Sequence, residues 1–203
     1  MARKDFKIIS NWVKPNSKVL DLGCGDGNLL QILSKERNIT GYGVDISIDK
    51  IIKSLDNNIN VVHTDINKKL DYFKDKSFDY VILAQSLQVV DNPVNLINEM
   101  LRIGNEVIIS FPNMGYWKSR LYLFLKGKMP ITSELPFSWH STPNIHLCTI
   151  KDFKEMCDLN QFVIVDEVIS SNYDEKVSNK LLSNLIEPFS SLLLLITSST
   201  ITN

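Results

Sequence analysis

The five residues Gly23-Cys24-Gly25-Asp26-Gly27 constrain this chain more than any others. They follow the apolar run Lys18 to Leu22, which reads as a strand. They precede Asn28 to Glu36, where Leu29, Ile32 and Leu33 share one helix face. Glycines adopt positive φ without penalty and let a ligand approach the backbone closely. The amides of such a turn, with the helix N-terminus behind them, can receive a polar group. A bare G-x-G-x-G is a weak sign, and its place between a strand and a helix is what gives it value.

The same alternation continues. Gly41 to Ile46 reads as a second strand. Ser47 is placed to cap a helix in which Ile48, Ile51, Ile52 and Leu55 form one expected buried stripe. Ile59 to His63 and Tyr80 to Ala84 are strands three and four. Asn92-Pro93 starts a helix with Leu96, Ile97, Met100 and Leu101 on its inner face, and Gly104 can end it. Val107 to Phe111 is strand five. Apolar strands separated by amphipathic helices predict an α/β fold, a doubly wound and mostly parallel sheet covered on both faces.

After Phe111 the pattern breaks. Residues 112–147 hold Pro112, Pro130, Pro136 and Pro143 among aromatic residues, with one helix expected from Tyr116 to Leu125, ended by Gly127. Long irregular segments in compact domains are commonly lids or binding loops. Regularity returns at Thr149, where Thr149 and Asp152 make a capping-box pattern before Phe153, Met156 and Cys157. Phe162 to Ile169 and Leu192 to Thr197 read as the last strands. Residues 1–203 are expected to form one domain, with 112–147 as an insertion.

The balance of charges excludes little but points away from some partners. Net charge is −1, with 22% charged residues, so neither a nucleic-acid backbone nor a membrane surface is called for. Met1 to Ser10 lacks an apolar stretch of signal-peptide type, and Leu192 to Ile196 is too short to span a bilayer. Cys24, Cys148 and Cys157 have no disulfide or zinc spacing, so no metal is expected. Reduced thiols fit a cytoplasmic protein.

Two carboxylates sharpen the meaning of the glycine turn. Asp45 ends the second strand, where an acidic group accepts hydrogen bonds from ribose hydroxyls. Asp65, just past strand three, is placed to accept an adenine amino group. Positions at the ends of three neighbouring strands converge on one crevice, where open α/β sheets bind ligands. An adenosine-type cofactor follows.

A dinucleotide site normally reads G-x-G-x-x-G, which disfavours a nicotinamide-dependent enzyme. Asp21-Leu22 before the first glycine, with the glycines spaced two and two, resembles instead the S-adenosylmethionine motif of class I methyltransferases. Phe78 to Leu83 resembles the fourth-strand motif of that superfamily. The resemblance implies a seven-stranded sheet in the order 3-2-1-4-5-7-6 with the last strand antiparallel.

Val19 to Gly27, Gly41 to Asp45 and Ala84 to Gln88 are also similar to the MetW family of methionine-biosynthesis proteins. More specific are Ser110 to Trp117, Leu135 to Trp139 and Thr142 to His146, which resemble signatures of that family. The resemblance runs from about residue 5 to residue 197. Ser86 stands where Thr is usual, and Pro188 lies in a divergent tail after Glu187. The family implies support or regulation of a homoserine O-acyltransferase as partner; methyl transfer to a small molecule is the other reading.

The set expected to hold the cofactor is Asp21, Gly23, Cys24, Gly25, Gly27, Asp45, Ile46, Asp65, Ile66 and Ala84. Cys24 is read as a small apolar filler and His63 as structural. Methyl transfer needs alignment and exclusion of water, and a base only if the acceptor must lose a proton. The catalytic candidates are His140, His146, Gln85 and Gln88, with Tyr116, Trp139 and Asn113 as lining for an acceptor pocket. A partner protein would instead need an exposed apolar patch, for which Tyr116, Trp117, Leu121 and Phe124 are the candidates.

Overall fold

In a computed structural model, residues 3–132, 135–168 and 193–198 are described. Seven strands form one sheet in the order β3-β2-β1-β4-β5-β7-β6. In chain order they are β1 (Lys18–Leu22), β2 (Thr40–Asp45), β3 (Asn60–His63), β4 (Phe78–Ala84), β5 (Gly104–Ser110), β6 (Phe162–Val168) and β7 (Leu193–Ser198). The first five are parallel, whereas β7 runs antiparallel to both β5 and β6. This is the expected α/β class and strand order. The expected strand end Ile169, Leu192, and the tail with Pro188 lie outside the described residues.

The central strands alternate between two apolar layers. In β4, Tyr80, Ile82 and Ala84 join one cluster, while Val81 and Leu83 join the other. The first layer is covered by α1 (Lys4–Trp12), through Phe6 and Ile9, and by α2 (Asn28–Arg37), through Leu29, Leu30 and Leu33. The second is covered by α4 (Pro93–Ile103) and α6 (Ile150–Leu159), through residues such as Ile97, Met100, Phe153 and Cys157. Near-continuous apolar strands are what burial on both faces requires.

Helix ends follow their caps. The Asn92 side chain accepts from Asn95 N at 3.0 Å, with Pro93 at the first helical position. Thr149 and Asp152 bond reciprocally, at 2.8 and 3.2 Å, as a complete capping box on α6. Gly104 ends α4 and is also the first residue of β5, so helix passes to strand with no loop. A Cβ at Gly104 would stand 2.6 Å from Val81 Cγ2.

Three expectations need correction. On α3 (Ile48–Asp56) the buried residues are Ile51 and Ser54, while Ile48, Ile52 and Leu55 are more than half exposed. Periodicity says which residues share a face, not how much sheet lies beneath it. Here α3 sits over the β2–β3 margin, and β3 is the edge strand. Ser47 occupies the N-cap of α3 without a side-chain cap bond; its amide donates to Asp45 instead. Finally, α1 arises where no element was expected. Its signal was Phe6, Ile9 and Val13, at a spacing of three and four, all buried.

Candidate functional site: the crevice at the C-terminal edge of the sheet

Strand order reverses between β1 and β4, and the glycine turn leaves β1 at this switch point. The turn is fastened from behind. Gly23 N and Cys24 N both donate to Val44 O, at 2.7 and 2.9 Å. From α3, Ser54 Oγ donates to Gly25 O at 2.9 Å; just past it, Asn57 Nδ2 donates to Asp26 O at 3.0 Å. Cys24 fills the gap over β2: a Cβ on Gly43 would fall 2.5 Å from its Sγ. Burial, aided by Asp21 and Asp45, pushes the Cys24 thiol up to about 12, so it stays protonated and serves as filler.

Gly25 is the position where the absence of a side chain matters for a ligand. Its φ is +61°, and a Cβ there would meet no protein atom within 4 Å. The residue therefore faces open space that a side chain would occupy. Its amide donates to Asp45 Oδ2 at 2.8 Å, and Ser47 N donates to Asp45 Oδ1 at 2.8 Å. Asp45 is 6% exposed, and each of its oxygens keeps a lone pair for a further donor. Two adjacent hydroxyls are the natural complement.

Asp21, one residue before the end of β1, is 2% exposed, and its Oδ1 has no hydrogen-bond partner. Burial raises its carboxyl to about 7; Arg3 opposes this, and Asp45 and Asp5 add to it. A buried acceptor left unpaired costs about 1–3 kcal/mol, a debt that a donor from a bound molecule removes. Asp65 is half-buried and accepts from Asn67 N at 2.9 Å. Ile66 is half-buried against the second apolar layer, Ala84 is buried, and Ile46 is 63% exposed. His63 Nε2 lies 3.1 Å from Ile46 O, bracing the loop after β2.

Past β4 the backbone is unusual. Gln85 has φ +58°, a rare conformation for a residue with a Cβ. Its amide donates to Ser110 O at 2.9 Å and to Ser110 Oγ at 3.1 Å, joining the ends of β4 and β5. Ser110 Oγ in turn lies 3.4 Å from Asp5 Oδ2, so α1 brings a third buried carboxylate, beside Asp21 and Asp45, to this edge, ion-paired with Arg3. Sequence reasoning missed Asp5 because it missed α1.

Of the other catalytic candidates, Gln88 and His146 are joined to Gln85, with His146 N donating to Gln88 O at 3.0 Å, while His140 stands apart. His140 is exposed and pairs with Ser138 in its own loop at 3.4 Å. His146 Nε2 lies 3.3 Å from Asp91 O. Gln88 is held by its Nε2, which donates to Gln85 O at 2.8 Å. Tyr116 is buried, contrary to its expected place on an exposed patch, because its ring packs inward at the start of α5 (Trp117–Lys126). Trp117, Leu121 and Phe124 are exposed as expected, Phe124 at 85%, and Trp139 beyond them at 77%.

Among the described residues three buried side-chain atoms lack partners: Asp21 Oδ1, Gln88 Oε1 and Asn113 Nδ2. All three stand at or just past the C-terminal ends of β1, β4 and β5. Unpaired buried polar atoms are rare in native proteins, and their concentration on one edge marks it as a place where molecules bind.

Comparison with known proteins agrees with this geometry. A curated relative from Rhodopirellula baltica, "Bifunctional methionine biosynthesis protein MetXA/MetW", is 37% identical over 84% of this chain. That match covers 29% of the relative, so this chain spans less than a third of its length. A demethylmenaquinone methyltransferase from Staphylococcus aureus is 28% identical over 75% of this chain and 70% of its own. The crystal structure of a SAM-dependent methyltransferase from Archaeoglobus fulgidus superposes with a TM-score of 0.63 at 18% identity, over 95% of this chain and 91% of that one, and shows the shared fold. The model of the family described as "Methionine biosynthesis protein MetW" matches residues 3–194, and the chain belongs to that family.

Proposed function

We propose that this protein binds S-adenosylmethionine at the C-terminal edge of its sheet and, in that state, supports or regulates a homoserine O-acyltransferase in the cytoplasm. Asp45 holds the two ribose hydroxyls on the lone pairs that the backbone leaves free. Asp21 takes the amino-acid ammonium on its unpartnered oxygen. Gly23, Gly25 and Gly27, with Cys24 as packing, shape the turn around the amino-acid portion. Asp65 accepts the adenine amino group, with Ile46, Ile66 and Ala84 as apolar walls. When bound, S-adenosylmethionine supplies an electrophilic methyl group.

The observation that carries the partner reading is the surface of 112–147. α5 buries Ser119 and leaves Trp117, Leu121, Tyr122, Leu123, Phe124 and Leu125 exposed. Aromatic and aliphatic side chains grouped in this way are what a protein interface buries at its centre. The relative from R. baltica carries a MetXA part and a MetW part in one chain, which agrees with association of the two. The whole chain acts here as one cofactor-binding unit with its insertion as the docking face.

A second reading, methyl transfer to a small molecule, draws on the methyltransferase relatives and the strained backbone at Gln85. His140 and His146 add little to it, since the His140 ring is engaged with Ser138 and the His146 ring with Asp91 O.

Co-expression with a homoserine O-acyltransferase, followed by acyl-transfer assays with and without S-adenosylmethionine, separates the readings. The expected result is co-purification and a rate that depends on the cofactor. An acyltransferase that neither binds nor changes rate removes the partner reading and leaves the cofactor site to be tested by calorimetry alone.

A further inference from the structure

We infer that the partner proposed above offers α5 an apolar groove with carboxylates on its two walls; the inference rests on that partner reading and adds the chemistry of the surface that fits. From residue 107 to residue 133 the sequence has no aspartate or glutamate but carries Lys118, Arg120, Lys126 and Lys128, in a chain whose net charge is −1. All four are exposed, and among the described residues none of them is in an ion pair.

Their placement on the helix is ordered. At about 100° per residue, Trp117, Leu121, Phe124 and Leu125 share an arc of roughly 100°, opposite the buried Ser119. Phe124 and Leu125 are the most exposed side chains of that ridge. Lys118 lies just beyond one border of the arc and Arg120 just beyond the other, so a cation flanks the ridge on each side. The Lys118 ammonium sits 5.7 Å from the centre of the Trp117 ring.

Helix stability does not explain these two cations. Both stand in the first turn of α5, where the helix dipole is positive. That turn has no acidic residue, and Tyr116 before it makes no side-chain cap bond. Lys126, in the last turn, does suit its helix end. Lys118 and Arg120 are therefore the two whose position calls for negative charge from outside the chain.

Shape and charge together select the occupant. Tyr122 and Leu123 are exposed as well, which extends the apolar surface over roughly 260° of the helix circumference. A planar bilayer interface covers one side of a helix, whereas a groove covers its flanks too. A second copy of this face would set cations against cations. A groove with an apolar floor for Phe124 and Leu125, and a carboxylate on each wall for Lys118 and Arg120, meets both the ridge and its flanks. Charges at such a rim act on the encounter more than on the final affinity.

The test measures association kinetics between the full chain and a homoserine O-acyltransferase at about 50 and about 500 mM NaCl. The association rate is expected to fall at least about fivefold between the two. Lys118→Glu with Arg120→Glu should slow association roughly tenfold at the lower salt and flatten the salt dependence, whereas Lys118→Arg with Arg120→Lys should keep the parent rate. Lys50→Glu with Lys53→Glu, at exposed positions on α3, makes the same change in net charge and should alter the rate less than about twofold. Cooperative thermal unfolding of each variant checks its fold. The inference is overturned, with the partner reading intact, if the acyltransferase binds at a rate insensitive to salt, or if the two reversed pairs slow it equally. An acyltransferase that binds at neither salt overturns both together. Capture by phosphatidylserine vesicles in place of the acyltransferase would make a bilayer the occupant and overturns it too.

Discussion

The glycine turn and the insertion are organised in opposite directions. Around Gly23 to Gly27 nearly every backbone group is tied down, and glycine lets β1, β2 and α3 close on one another within a few ångströms. Along α5 the same chain exposes six consecutive-turn apolar side chains and buries one serine. The first region is organised inward, about a small ligand. The second is organised outward, with its apolar side chains facing solvent. Rigid burial suits recognition of a fixed molecule, while an exposed apolar face of this kind is what the proposed partner would cover.

The largest expected effect tests the inward region. With its carboxyl raised from 3.8 to about 7, Asp21 is neutral in both folded and unfolded chains below about pH 4. As pH rises to 7 the unfolded chain ionises while the folded one holds its proton, so stability falls, by on the order of 4 kcal/mol in total. Asp21→Asn should flatten that slope in thermal melts from pH 4 to 8. S-adenosylmethionine affinity should rise with pH over the same window in the parent and not in the variant. Equal slopes in parent and variant would remove Asp21 from the site.

Next, Asp45→Ala should weaken S-adenosylmethionine by about 1.5–3 kcal/mol in calorimetry, since two backbone donors and two ribose hydroxyls lose one carboxylate. Unchanged affinity would sink the ribose assignment. On the outward region, Phe124→Glu should cost about 2 kcal/mol or more in acyltransferase binding while moving the thermal midpoint little. A variant that binds the acyltransferase as well as the parent would place the interface elsewhere. Smallest of all, Leu55→Gln on the exposed face of α3 should change stability by less than about 0.5 kcal/mol; a loss of 2 kcal/mol by urea titration would mean that this face is covered.

Legibility in the sequence divides along the same line. Lys18 to Leu22, the glycine turn, Asp45 and the cap at Asn92-Pro93 act through neighbours in the chain or through strict periodicity, and each was readable. Ile48, Ile52 and Leu55 were not, because their burial depends on how far the sheet extends beneath α3. Tyr116 was misplaced for a related reason: one residue before α5 the chain still packs inward, and composition does not mark where that stops. Asp5 reaches the crevice only because α1 folds back across the sheet to Ser110, a contact spanning most of the described β-strands. The unpaired Oε1 of Gln88 was beyond reading, since a residue's lack of partners is a property of the assembled edge.

The strand order has a consequence for the timing of synthesis. β7 is made last and lies between β5 and β6. Until residues 193–198 leave the ribosome, β5 keeps an open edge and β6 has no strand to pair with. The pairings among the five parallel strands, by contrast, are all complete by residue 110. The nascent chain thus carries a finished half-sheet with one sticky margin while more than eighty residues are still to come, a period in which that margin can pair with a neighbouring chain. Chaperone dependence should fall on chains stalled before residue 193, and a stop codon there should leave a protein that aggregates through β5.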